Sequence, residues 1–163
     1  MKRSLRAAFS LIEVTIALGL ATFCLTAIFG LLPVGLNSNL AASNETTATG
    51  ILAAVSADLL ATPSPSSTSS VTSQQFSIII PANPVTSPPA TQTLYFTSHG
   101  QSSISLQTQS RYLLTVNFLT NVLASGSSGK AATLVSLQVS WPAAVALPNA
   151  GGSVKTFIAL DRN

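Results

Sequence analysis

The chain has 163 residues, 47% of them hydrophobic and only 7% charged, where an average globular chain carries about 25% charged residues. That length suffices for one domain plus an extra element, and so little charge suits an exported or membrane-attached protein better than a cytosolic one. The formal charge of +3 belongs to the N-terminal tip: Lys2, Arg3 and Arg6 precede an apolar run, while Arg111, Lys130, Lys155 and Arg162 balance Glu13, Glu45, Asp58 and Asp161, which gives no support to an overall basic surface for nucleic acid and leaves only a local patch open.

The first element is that apolar run. Residues 14–36 read VTIALGLATFCLTAIFGLLPVGL without a charge, and at ~1.5 Å rise per residue they reach the ~30 Å of a hydrocarbon core. The basic residues ahead of it favour a cytoplasmic N-terminus with the remainder exported. Three readings compete. A cleaved secretory signal fits the basic tip, with Ala41-Ala42-Ser43 as a weak cleavage site, but its apolar core is normally 7–15 residues. A plain single-span anchor explains the length. It leaves Glu13 unexplained, although a carboxylate at the centre of a bilayer costs roughly 2.5–3.5 kcal/mol even on the lower scales.

The third reading accounts for the glutamate. Ala8-Phe9-Ser10-Leu11-Ile12-Glu13-Val14 resembles the prepilin signal of type IV pilins and type II secretion pseudopilins. In that family a short basic leader precedes a cut, usually between Gly and Phe, followed by Thr-Leu-Ile-Glu and a long apolar helix. The resemblance implies a scissile bond between Ala8 and Phe9, with Phe9 as the new, N-methylated terminus and Glu13 as the family's glutamate. Ala8 stands where Gly is commoner and Ser10 where Thr is commoner. The cut leaves a positive α-amine on Phe9, and in low dielectric it attracts the Glu13 carboxylate of a neighbouring subunit while either charge alone is costly. Glu13 is thereby read as one half of an assembly salt bridge. The implied partners are prepilin peptidase, other pilin or pseudopilin subunits, an inner-membrane assembly platform and membrane lipid; no nucleic acid is expected. The stretch ALGLATFCLTAIFGLLPVGLNSN is also similar to pilin-like proteins of Verrucomicrobia-type "Chthon" gene cassettes.

Gly30, Pro33 and Gly35 fall at the outer end of the run. Pro33 removes a helix hydrogen bond, so a helix break or kink is expected at Gly30 and Pro33; a simple bend at the interface is the plainer alternative. Leu36, Leu40, Thr47, Ile51, Val55 and Leu59 then recur at spacings of four or seven, the mark of an amphipathic helix continuing to about Leu60. Gly50 weakens it by about 1 kcal/mol relative to Ala. Asn44-Glu45-Thr46 matches a glycosylation sequon and is read as unmodified. The lone Cys24 permits no internal disulfide and reads as a small apolar helix residue.

Residues 62–75, TPSPSSTSSVTSQQ, end the helix as a linker. Strand candidates follow at residues 76–80 (FSIII), 93–97 (TLYFT), 103–108 (SISLQT) and 112–118 (YLLTVNF), with a short helix over 113–123 as the alternative to the last. In LVSLQVSW, residues 134–141, Val135, Leu137, Val139 and Trp141 alternate with polar residues, as in a half-buried antiparallel strand. Residues 154–160 (VKTFIAL) are its expected hairpin partner. The V-S-W-P run and closing strand resemble the ends of minor pilins of the PilV and type II secretion I-subunit kind. Trp141 reads as a core or sheet-face residue rather than a ligand platform.

Little points to catalysis. His99 is the only histidine. A Ser–His–Asp set with Asp58 or Asp161 has no nucleophile-elbow motif behind it, so His99 reads as a solvated turn residue. GSSGK at 126–130 lacks the phosphate-loop spacing. No catalytic residue, metal site or cofactor is expected, the acids and the one His being too dispersed.

The expected architecture is α+β, one long N-terminal helix packed on a mostly antiparallel sheet. It divides into a leader (1–8), a transmembrane assembly helix (9–36), an amphipathic continuation (37–61), a linker (62–75) and a β-rich region (76–163). The expected function is that of a minor pilin or pseudopilin, inserted in the inner membrane with its C-terminal region periplasmic and then built into a filament. The alternative is a membrane-anchored or filament-tip binding module that uses the β-rich region, with His99 and residues 84–90 as its surface.

Overall fold

The structure, a computed structural model, describes residues 10–63, 69–82, 85, 87, 91–121 and 132–160. The chain forms two compact units, Met1–Ala42 and Ser43–Asn163. Helix α1, Leu11–Ala61, contributes to both.

In the first unit every described residue is exposed, including Leu20, Phe23, Phe29 and Leu31. No other described residue of this unit covers these side chains. Its three threonines do not present free hydroxyls: Thr15 donates to the Ile12 carbonyl at 2.9 Å, Thr22 to that of Leu18 at 2.8 Å and Thr26 to that of Thr22 at 2.9 Å. Such back-bonding satisfies the only hydroxyls of residues 14–36 within the helix itself. Neither Gly30 nor Pro33 ends α1, which runs through both. Pro33 still lacks the N–H that the Phe29 carbonyl would accept, so the ladder loses one rung there.

In the second unit α1 presents Ala48, Ile51, Leu52, Val55 and Leu59 to the core. These fall at helical spacing, and only Ile51, Val55 and Leu59 belong to the stripe expected from the periodicity. The helix stops before Pro63, whose ring disfavours helical backbone at Thr62; Thr62 closes the end by donating both its N–H and its hydroxyl to the Asp58 carbonyl, at 3.1 and 2.7 Å.

Five antiparallel strands form the main sheet, in the order β4-β3-β5-β6-β7: β3 (Gln92–Thr97), β4 (Ser102–Ser103), β5 (Ser110–Phe118), β6 (Thr133–Trp141) and β7 (Gly152–Leu160). A two-stranded sheet pairs β1 (Val71–Thr72) with β2 (Ile79–Ile80). The fold is therefore α+β, as expected. Alternation decides which face is inward: Tyr112, Leu114, Val116 and Phe118 on β5 and Val135, Leu137 and Val139 on β6 are all buried. The β6–β7 hairpin keeps an unbroken register from Thr133↔Leu160 to Trp141↔Gly152. Residues 113–118 are strand, so the helical alternative over this stretch does not form.

Two expected strands are shorter than their apolar content suggests. Residues 76–78 form no ladder, because Ser77 has φ 55° and Phe76 commits its N–H to Asp58; the strand begins only at Ile79. Phe76 and Ile78 are nonetheless buried, and Phe76 meets Phe96 with ring centroids 5.6 Å apart. Of residues 103–108 only Ser103 is in a strand. Ile104 is 81% exposed there, so no inward face rewards an extended pairing.

The joint between the small sheet and the main one is a side-chain amide. Gln92 accepts the Ile79 N–H at 2.8 Å and donates to the Ile79 carbonyl at 2.7 Å, reproducing the pair of bonds that a neighbouring strand would make. At the other end of β3 the register jumps from Phe96↔Tyr112 to Thr97↔Ser110. Arg111 is the extra residue of that β-bulge.

Candidate functional site

Two places carry chemistry. In the first unit Ser10 precedes α1, and its carbonyl accepts the N–H groups of Glu13 at 3.0 Å and Val14 at 3.2 Å. Glu13 thus lies in the first turn of the helix. The order Ser10-x-x-Glu13 is that of a capping box, and a carboxylate in this turn is favoured by the positive end of the helix dipole. A local helix-capping role, signalled in sequence by the Ser-x-x-Glu spacing, is therefore a candidate for this acid beside the assembly role expected of it. Glu13 is the only charged residue between Ser10 and Ala42. Ala8 and Phe9, the expected cleavage and N-methylation positions, lie outside the described residues.

Helix α1 is long and apolar enough to cross a membrane, and its most apolar window has no residue buried within the protein. A core helix of a soluble domain would bury one face. Around Gly35 the surface is shaped by Ile28, Leu31, Leu32 and Leu36 into an open apolar concavity of about 390 Å³.

In the second unit the bulge at Arg111 turns its side chain to the helix side of the sheet. Arg111 donates from Nε at 3.2 Å and from Nη2 at 3.0 Å to Asn44 Oδ1, and the Tyr112 hydroxyl donates to the same oxygen at 3.1 Å. One amide oxygen therefore holds three donors where α1 meets the end of β5. Trp141 stands edge-on to Tyr112, with ring centroids 6.2 Å apart, and is half-buried against the core. Its indole lies on Gly152: a Cβ built there would come within 2.4 Å of the ring. Asn44, Arg111 and Trp141 border a cleft of about 540 Å³ that is also lined by Ser98, Thr108, Gln109, Ser110 and Pro142.

His99 occupies an exposed turn between β3 and β4, where Thr97 Oγ1 accepts its backbone N–H at 3.3 Å. It borders a separate concavity with Thr47, Phe76 and Phe96. Asp58, sketched as its acidic partner, is instead buried and accepts the N–H groups of Gln75 and Phe76, each at 3.1 Å. The structure does not bring the two together. Asp161 and most of residues 84–90 lie outside the described residues; Val85 is buried and bonded to Asn121 through both its N–H and its carbonyl. No group of three or more His, Cys, Asp or Glu side chains placed to hold a metal ion occurs among the described residues.

Comparison of the chain with protein-family models, with curated proteins and with solved structures finds no match.

Proposed function

We propose that this protein is a pilin-like subunit, a minor pilin or pseudopilin. Prepilin peptidase cuts it between Ala8 and Phe9, and residues 9–36 anchor it in the inner membrane and then join sister subunits in a filament. The observation that carries the reading is the uncovered apolar surface of α1 over residues 11–42, whose threonine hydroxyls are satisfied internally and whose one charge is Glu13. Such a surface is stable only in lipid or against other apolar helices, and a filament sheath provides the second after the first. The order of basic tip, Ala8–Phe9 junction, Glu13 and apolar helix supports the processing step. The globular part, with its own core, is then the exported head. Lys2, Arg3 and Arg6 favour a cytoplasmic N-terminus under the positive-inside rule.

The test is the intact mass and N-terminal sequence of the protein from native membranes, with and without the prepilin peptidase of the same cell. A methylated start at Phe9 that disappears without the peptidase is the expected result. An intact leader makes α1 a plain anchor, and a start near Asn44 makes the chain a secreted domain.

A second role, binding by the β-rich region, is favoured by one feature, the cleft between Arg111 and Trp141.

A further inference from the structure

The structure assigns that cleft as a binding site for a carboxylated sugar, a uronic-acid unit of an acidic glycan. The inference rests on the binding role of the β-rich region and is independent of filament assembly.

The first ground is the state of Arg111. Its Nε–Nη2 edge is held by Asn44 Oδ1, and the guanidinium bonds to no other described residue. No described carboxylate pairs with it. A neutral amide thus orients the group without cancelling its charge, which leaves the outer fork, Nη1 and Nη2, available for the planar bidentate contact that guanidinium makes with carboxylate. The bulge matters here. In regular register residue 111 would alternate to the opposite face of the sheet from Tyr112, whereas a bulge re-aims a side chain.

The second ground is Trp141. The indole is seated on Gly152 and braced by Tyr112, so its position is fixed before any ligand arrives. Its ring N–H has no partner among the described residues. An indole face attracts the weakly positive C–H groups of a pyranose ring, because the aromatic quadrupole is negative there. The remaining border offers Ser98, Thr108 and Gln109, which can both donate to and accept from sugar hydroxyls.

Charge and size select the class. A single cation suits a singly charged carboxylate better than a phosphate or sulfate cluster, which would call for several. A volume of about 540 Å³ lies in the range of small-molecule sites, ~300–1,000 Å³. An acidic peptide would use Arg111 through a side-chain carboxylate, but it presents no pyranose face of C–H groups to the indole.

The experiment uses the full chain in lipid nanodiscs, titrated with trigalacturonate, with its fully methyl-esterified form, and with triglutamate. Trp141 is the only tryptophan, so intrinsic fluorescence reports the site directly. A saturable change with trigalacturonate is expected, with binding at least about tenfold weaker for the ester, as one lost charge-assisted contact implies. Triglutamate should also bind more weakly than trigalacturonate. Arg111→Gln should weaken trigalacturonate binding by at least the same factor. Asn44→Asp guards against a loss of fold, because it keeps the joint while giving the guanidinium an internal carboxylate; it should weaken binding too. Equal affinity for acid and ester, tighter binding of triglutamate, or unchanged binding in both variants would overturn the assignment and leave a binding role for the head. No saturable response to any of the three up to about 10 mM, a barely measurable affinity, overturns both. None of these outcomes bears on the N-terminus found in native membranes.

Discussion

The Asp58 carboxylate on α1 accepts the backbone N–H of Phe76 at 3.1 Å, and through its other oxygen that of Gln75. One buried acid thereby ties the end of the helix to the turn that leads into β2. The neighbouring Ser73 reinforces the turn by accepting the Ile78 N–H at 3.1 Å through its hydroxyl. Replacing Asp58 with Ala strands two N–H donors, one of them in the core. The expected loss is about 2–4 kcal/mol: a bond to a carboxylate is worth roughly 1.5–3 kcal/mol, and the N–H of the exposed Gln75 regains part of its share from water. Urea unfolding of the detergent-solubilised protein measures it. Asp58→Asn, which keeps one acceptor, should fall between the two.

Gly152 is required by Trp141. A methyl group at this position would enter the indole ring, and the ring cannot retreat without losing its contact with Tyr112. Gly152→Ala is expected to cost roughly 1–3 kcal/mol, as overpacking does, and to shift the emission of the only tryptophan. An unchanged spectrum and unchanged stability would mean that the hairpin absorbs the methyl by moving its backbone.

Leu137 is fully buried at the centre of β6, facing α1 with Val135 and Val139. Leu137→Ala should destabilise the head by about 2–5 kcal/mol. Leu134→Ala, on the exposed face of the same strand, should change stability by no more than about 0.5 kcal/mol. The pair checks which face of the sheet the helix covers.

Glu13 has two candidate roles, and one substitution separates them. Glutamine can serve in a capping box as glutamate does, but it cannot pair with a charged amine. If the carboxylate is needed for assembly, Glu13→Gln and Glu13→Ala should both insert in the membrane and both lose filament incorporation, read as the fraction of subunit recovered in sheared filaments. If its work is local, Glu13→Gln should incorporate normally and only Glu13→Ala should fail.

Elements with a strong period are legible in the amino-acid order alone. The alternation of Val135, Leu137, Val139 and Trp141 marks β6 and its inward face, and the return over 154–160 marks β7. The length and apolarity of 14–36 likewise mark a membrane-competent helix. Elements set by single long-range contacts are not legible in this way. Nothing near Asp58 announces that it will hold Gln75 and Phe76, so FSIII has the composition of a full strand and forms only the end of one. Leu36 and Leu40 extend the helical stripe in sequence and yet are exposed, because a stripe records spacing and not where a partner surface begins. The Arg111–Asn44 joint is hidden for a related reason. It depends on a bulge, and a one-residue shift in register leaves no mark in composition or period.

The connectivity of the core has a consequence for synthesis. Translation delivers Ala48, Ile51, Val55 and Leu59 before any strand of the main sheet exists, and the residues that cover them on β5 and β6 come much later. A subunit anchored by residues 9–36 would hold this helix at the membrane while its inner face waits uncovered, and the sheet would then close on it from neighbouring hairpins. Exposed apolar surface on an unfinished chain invites association with other chains. The interval between the emergence of α1 and the completion of β6 is therefore when the nascent subunit most needs shelter, from lipid, from a chaperone, or from the slow release of its own C-terminal half.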